Sequence, residues 1–189
     1  MLPPSIILLQ NGDLLYWTYE KMVLLNLEKK SKIYEWENKY NNGWTFADLK
    51  NGDLAIGTRN GELIIWNINN KSSKYNKKFD HGIDKFVLLP NGDLALLYLD
   101  YQIKIFDLNR KLIKYELNSA KSPVIWIMLL KNGQFATRSF LSIDIWDLNR
   151  KSVKYSIESS YFGSEGFLVL RNGNLIIGSF KTLFVFNIQ

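Results

Sequence analysis

The residues best equipped for chemistry are few. Asp80-His81-Gly82 holds the only histidine of the 189 residues, and there is no cysteine. A zinc site usually wants three or four N, S or O ligands, so one histidine in a glycine-containing loop points away from a metal centre. No nucleophile elbow accompanies Asp80-His81, so a triad is not expected. Glycoside hydrolysis needs two carboxylates facing a substrate. Asp48, Asp80 and Asp84 are the nearest candidates, and none recurs with a partner. Arg138 stands at a strand position where Gly57 and Gly178 stand in sister segments. It is expected to be a paired, semi-buried arginine, with an anion contact as the functional alternative. The sequence is therefore expected to encode no enzyme and no cofactor.

The elements that position these residues show a fixed period. Asn-Gly occurs at Asn11-Gly12, Asn51-Gly52, Asn91-Gly92, Asn132-Gly133 and Asn172-Gly173, at spacings of 40, 40, 41 and 40 residues. Leu9, Leu49, Leu89, Leu130 and Leu170 each stand two residues earlier. A large apolar residue (Leu25, Trp66, Phe106, Trp146 or Phe186) follows in each unit, with Asn or Asp directly after it. A forty-residue period marks a repeat architecture. Asn-Gly suits the centre of a type I′ hairpin turn, with positive φ at both residues.

Each unit reads as short strands a, b, c and d. Strands a and b are apolar on both faces, as in Leu94 to Leu99, whereas Ile113 and Tyr115 alternate with Lys114 and Glu116 in strand d. Sheets stacked face to face around an axis, with a innermost and d outermost, produce that gradient. The predicted fold is all-β, a β-propeller of about five blades with antiparallel sheets around a central axis. Four blades are four-stranded and the fifth is three-stranded. One domain over residues 1–189 is expected, with blades at about 5–39, 43–80, 84–117, 123–158 and 166–189. Hydrophobic residues at 47% supply a core large enough for this.

Leu54-Ala55-Ile56-Gly57-Thr58, Leu175-Ile176-Ile177-Gly178-Ser179 and Ile143-Asp144-Ile145-Trp146-Asp147 resemble strands b and c of the WD-repeat family. The family's Gly-His before strand a is absent, so its Asp-His-Ser/Thr-Trp hydrogen-bond network is expected to be missing, except for a part near the second unit. The resemblance implies a non-catalytic scaffold for protein binding. A carbohydrate-binding, lectin-like propeller is the alternative, as is a piece of a larger WD-repeat protein.

A net charge of +6 permits an anionic partner but does not require one. The c-d turns carry Lys29, Lys30, Lys71, Arg110, Lys111, Arg150 and Lys151, which should form one basic face. Trp44, His81, Asp84, Tyr101, Trp126, Tyr161 and Phe162 fall toward the other ends of the strands and are the candidates for contact with a protein or peptide. Trp66 and Trp146 are expected to pack the blades. Tyr34, Tyr75, Tyr115 and Tyr155 on strand d are expected to pack the outer rim with hydroxyls in water. No apolar run reaches the ~18 residues of a membrane helix, and no secretory leader is legible, so a cytoplasmic location is expected. The apolar edge strand 182–189 is a candidate for self-association.

Overall fold

The Asn-Gly turns set the architecture by closing a hairpin in each repeat. A computed structural model describes residues 5–18, 20–37, 44–49, 51–118, 122–130, 132–158, 167–169, 174–179 and 182–186. Of these, the backbone alone is described for Ser5, Trp44 and residues 167–169, 177–179 and 182–184. No helix occurs among them, and none is therefore long and apolar enough to cross a membrane. The chain falls into two compact units, Met1–Asp84 and Lys85–Gln189.

In unit 1, β1 (Ser5–Leu8), β2 (Leu14–Trp17), β3 (Lys21–Asn26) and β4 (Ser31–Glu37) form the first antiparallel sheet. The second sheet contains β5 (Trp44–Asp48), β6 (Asp53–Thr58), β7 (Glu62–Asn67) and β8 (Ser72–Lys78). Leu15, Met22 and Leu24 of the first sheet and Leu54 and Ile56 of the second join in one buried cluster. Trp36 and Tyr34 on β4 lie 5.1 and 5.6 Å from Trp66 on β7, ring centre to ring centre. Strand d of one sheet thus packs on strand c of the next.

The third sheet, β9 (Ile83–Leu88), β10 (Leu94–Tyr98), β11 (Ile103–Asp107) and β12 (Leu112–Leu117), begins at the boundary and belongs mostly to unit 2. The fourth comprises β13 (Trp126–Leu129), β14 (Phe135–Arg138), β15 (Ser142–Asp147) and β16 (Ser152–Glu158). Ala95, Leu97, Ile103 and Ile105 of the third sheet share a cluster with Ile127, Phe135 and Trp146 of the fourth. The fifth sheet has three strands among the described residues: β17 (Phe167–Val169), β18 (Leu175–Ser179) and β19 (Thr182–Phe186). Its Leu175 and Phe186 pack against Met128, Ile143 and Ile145 of the fourth.

The burial gradient follows the expected order only from strand b outward; strand a, expected to be buried on both faces, is partly open, with Ile6 and Leu8 of β1 and Trp126 and Leu129 of β13 exposed. Every residue of β6 and β10 is buried, whereas β12 alternates between exposed and half-buried positions up to buried Leu117. A strand sandwiched by neighbouring sheets needs apolar residues on both faces, and an outer strand only on one.

The Asn-Gly turns differ from the expected type I′. Only the glycine takes positive φ, at 84° for Gly12, 78° for Gly52, 86° for Gly92 and 80° for Gly133. In the first turn the Gly12 amide donates to Leu9 O at 3.0 Å and the Leu9 amide to Asp13 O at 2.8 Å. The loop therefore has three residues, a form in which a type I turn is followed by a left-handed residue. The asparagine contributes through its side chain instead: Asn11 Oδ1 accepts from the Asp13 amide at 3.0 Å.

Candidate functional site

The three-residue turn also builds the b-c connections, and there its two copies diverge. In the second sheet the left-handed position is Gly61, at φ 86°, with its amide donating to Thr58 O at 2.9 Å. In the third sheet Tyr101 fills the same position at φ 69°, donating to Tyr98 O at 3.0 Å. A left-handed conformation costs a residue with a Cβ about 1–2 kcal/mol, and for an aromatic residue it is a genuine outlier.

Gly61 is buried beneath the loop that follows β8. A Cβ there would lie 2.5 Å from Phe79 O and 2.7 Å from His81 O. The same loop is fastened by the Phe79 amide on Gly61 O at 2.8 Å and by the Arg59–Asp84 ion pair at 3.1 Å. Asp84 is thus half-buried and engaged, while His81 is exposed. Asp48, at the opposite end of the second sheet, accepts a hydrogen bond from the Gln10 amide. Asp48 and Asp84 thus lie at opposite ends of the sheet, and Asp80 is exposed in the loop before Asp84. Among the described residues no group of three or more His, Asp or Glu is placed to hold a metal ion.

Tyr101 has no such cover among the described residues, and on its turn, beside polar Asp100 and Gln102, Leu99 is also apolar and exposed. Leu99 is 43% exposed and Tyr101 53%. On the b-c turn of the fourth sheet, Phe140 and Leu141 are 53% and 50% exposed. This hairpin is held by Ser139, whose amide donates to Ser142 O and whose Oγ accepts from the Leu141 and Ser142 amides. Lys85, in the first half of strand a of the third sheet, places Nζ 3.7 Å from the ring centre of Trp126, which begins strand a of the fourth. The two sheets therefore stack with like ends together, so both b-c turns lie at one end of unit 2. Tyr101 and Trp126, two of the expected contact residues, are brought to that end. His81 and Asp84 belong to unit 1, the Trp44 side chain is outside the described residues, and so are Tyr161 and Phe162. Leu99, Phe140 and Leu141 were hidden in the sequence because they close apolar runs that read as core.

The c-d turns hold the basic residues. Lys30, Lys71, Lys111 and Lys151 all take positive φ, between 50° and 61°. In unit 2 the turn sequence Asp-Leu-Asn-Arg-Lys occurs twice. Asp107 Oδ1 accepts from the Asn109 and Arg110 amides at 2.9 and 2.8 Å, and Asp147 Oδ1 makes the same pair of bonds at 3.0 Å each. The other carboxylate oxygen faces the arginine, with Nε of Arg110 at 3.9 Å and of Arg150 at 3.7 Å. The Arg110 amide, followed by those of Asn109 and the Lys114 charge, holds the Asp107 carboxyl below the usual range. In unit 1 the turn begins with asparagine. Asn26 and Asn67 accept from the amides of Lys29 and Asn70, and their own amide groups donate to Asp13 at 2.8 Å and Asp53 at 2.7 Å. Lys29, Lys30 and Lys71 are exposed on these turns.

Arg138 is buried in β14, and burial pulls its guanidinium below the ordinary arginine range. Trp146 donates from Nε1 to Thr137 Oγ1 at 2.9 Å, so the Thr-Trp arm of the expected-absent network forms in the fourth sheet rather than near the second unit. Trp66 Nε1 is buried without a hydrogen-bond partner among the described residues. The Tyr115 hydroxyl is not left to water. It donates to Leu148 O at 3.3 Å, and Lys151 Nζ stands 4.8 Å from the ring centre.

No family model matches the sequence, and no curated protein matches it. Solved structures do. The WD40 β-propeller domain of Doa1 matches with a TM-score of 0.72 at 16% identity, covering 95% of this chain and 62% of that one. The β-propeller domain of Myceliophteria thermophila Cps50 (Swd1) matches with a TM-score of 0.76 at 14% identity, covering 93% of this chain and 61% of that one. The chain thus spans about three fifths of the length of these domains. At such identities the likeness concerns the fold alone, and that fold is the WD40-type β-propeller.

Proposed function

We propose that this protein is a non-catalytic scaffold that docks a protein or peptide partner on the b-c turn end of unit 2, within one propeller domain over residues 1–189. The observation that carries this is Tyr101. An aromatic side chain held in a left-handed backbone and half exposed costs stability where glycine would not, and such outliers collect at functional sites. Around it Leu99, Phe140, Leu141 and Trp126 offer apolar area of the kind that anchors interfaces. Affinity capture from extract tests the reading with wild type and a Tyr101→Ser/Phe140→Ser variant, checked by circular dichroism for retained fold. Loss of specific partners from the variant supports it, and an unchanged partner set overturns it. We place this activity in the cytoplasm, where a cysteine-free sequence carries no disulfide requirement.

The c-d turns support a second surface, for an anionic partner. Glycine would fit the four left-handed positions at lower cost, and all four carry lysine. A third contact, pairing of copies along β19, draws support from Val185, which is 59% exposed there. Light scattering that gives the same mass for wild type and Val185→Lys would remove it.

A further inference from the structure

The basic turns of unit 2 are more ordered than a solvated charge run. Asp107 and Asp147 each fix the turn by two backbone bonds and face the Nε edge of the arginine three residues on. The side chains of Arg110 and Arg150 are nevertheless 77% and 84% exposed. At 3.9 and 3.7 Å the carboxylates neighbour the guanidinium groups without hydrogen-bonding them, so the N–H donors of each planar fork stay available for bidentate contact with phosphate. Beside each arginine stands a lysine in the left-handed region, Lys111 or Lys151. The Tyr115 hydroxyl on Leu148 O and Lys151 over the Tyr115 ring bind the fourth sheet's turn to the third sheet. The two arginine-lysine pairs are thereby repeated side by side.

Charge agrees with this. In the segments 91–93, 107–114, 132–134 and 147–154 the cations are Arg110, Lys111, Lys114, Arg150, Lys151 and Lys154. The carboxylates are Asp93, Asp107 and Asp147. Lys114 is committed to Asp93 at 2.9 Å and Asp107 at 3.7 Å. A repeated cationic unit with a planar donor fits a ligand whose own charge repeats along a chain. A membrane surface fits less well, because the turn tips Asn109-Arg110 and Asn149-Arg150 are polar and the apolar side chains beside them, Leu112 and Val153, stand singly on strand d and are only 44% and 38% exposed.

We propose that the c-d turns of unit 2 bind the phosphate backbone of a nucleic acid without sequence preference, with Arg110 and Arg150 as phosphate forks and Lys111 and Lys151 beside them. This rests on the anionic-partner reading above and names its chemistry. The test is fluorescence anisotropy of a labelled 20-nucleotide oligouridylate with the full chain between 50 and 200 mM potassium chloride. Four phosphate contacts to a single strand give a slope of log affinity on log salt of about −3, or roughly 50-fold weaker binding over that range. Arg110→Gln/Arg150→Gln is expected to flatten the slope by about 1.4. Lys77→Gln/Lys78→Gln removes equal charge from β8 and is expected to leave the slope unchanged. Lys111→Gly/Lys151→Gly is expected to weaken binding while raising the melting temperature, which separates lost binding from lost folding. The assignment is overturned if the β8 pair weakens binding as much as the arginine pair. It is also overturned if polyglutamate of equal charge competes as well as unlabelled oligouridylate, or if anionic vesicles bind more tightly. No binding to oligouridylate, polyglutamate or heparin at 50 mM salt overturns both this and the anionic-partner reading.

Discussion

Units 1 and 2 are built from the same repeat, yet they spend their left-handed positions differently. At the b-c turn, unit 1 uses Gly61 and buries it under a loop, whereas unit 2 uses Tyr101 and leaves it open. At the c-d turn, unit 1 begins with asparagine and unit 2 with aspartate. The amide of Asn26 or Asn67 can donate to the a-b turn aspartate and accept from its own turn at once. Aspartate can only accept, so the third sheet sets Asp93 and Asp107 on one cation, Lys114, while the fourth has Gln134 in place of the first carboxylate. A buried acidic pair must be neutralised or diluted, and the two sheets of unit 2 take one route each. What unit 2 gains is a carboxylate that holds two turn amides and faces an arginine.

The largest expected effect lies at the b-c turn of unit 1. Gly61→Ala drives a Cβ against two carbonyl oxygens and should cost about 3 kcal/mol, combining overpacking with left-handed strain. Gly92→Ala, where a Cβ meets nothing within 4 Å, should cost only the strain of about 1 kcal/mol. Urea unfolding of both variants measures the difference, and equal losses would remove the distinction between covered and open turns.

The c-d comparison is sharpened by moving aspartate into unit 1. Asn26→Asp places a second carboxylate against buried Asp13, and Ile33 stands where the second and third sheets have Lys74 and Lys114. A loss of about 2 kcal/mol is expected. Asn67→Asp should cost less than half as much, because Lys74 Nζ already lies 2.8 Å from Asp53. Denaturant midpoints in the reverse order would contradict the neutralisation account.

The tryptophans make a smaller contrast. Trp146→Phe removes a buried bond to Thr137 and should cost about 1–2 kcal/mol. Trp66→Phe removes a buried N–H that has no partner among the described residues, so its cost should come only from packing lost against Trp36 and Tyr34 and stay below that of Trp146→Phe, at about 1 kcal/mol. Thermal melts of the two variants check this.

The smallest effect is in pH dependence. Asp107 is held below the usual carboxylate range, so its stabilisation is present above about pH 4 and is lost as pH falls through its folded pKa. Lys114 is shifted the other way, chiefly by its hydrogen bond to Asp93, so its share is full below about pH 10 and is lost as pH rises through its folded value. Melting temperatures of wild type and Asp107→Asn should therefore converge on acidification, and a constant difference across pH 3–7 would rule the linkage out.

Much of this fold was legible because Asn-Gly recurs every forty residues and because burial on both faces writes itself into strands such as Leu94 to Tyr98. The turn type was not legible, since the dipeptide does not show where the closing hydrogen bond falls; the Leu9–Asp13 pairing decides it. Lysine in a left-handed turn leaves no trace in composition, because lysine on any surface looks alike. Of the candidate site, Tyr101 and Trp126 could be picked out as aromatics near turns. Leu99 could not, because an apolar residue ending an apolar strand looks buried until the chain is seen to turn. Asp84 suggested an available carboxylate, but its partner Arg59 is 25 residues away in sequence and only folding brings it near.

Tyr101 carries both the strain and the exposed ring of the b-c turn, and two substitutions there separate them. Tyr101→Gly and Tyr101→Ala both remove the ring, and only the first removes the left-handed strain. Urea unfolding and affinity capture should be run on both together. The expected result is that the glycine variant is about 1 kcal/mol more stable than the alanine variant while both lose the partner held by wild type. A glycine variant no more stable than alanine, or one that still captures the partner, would contradict the claim that this turn bears strain for binding.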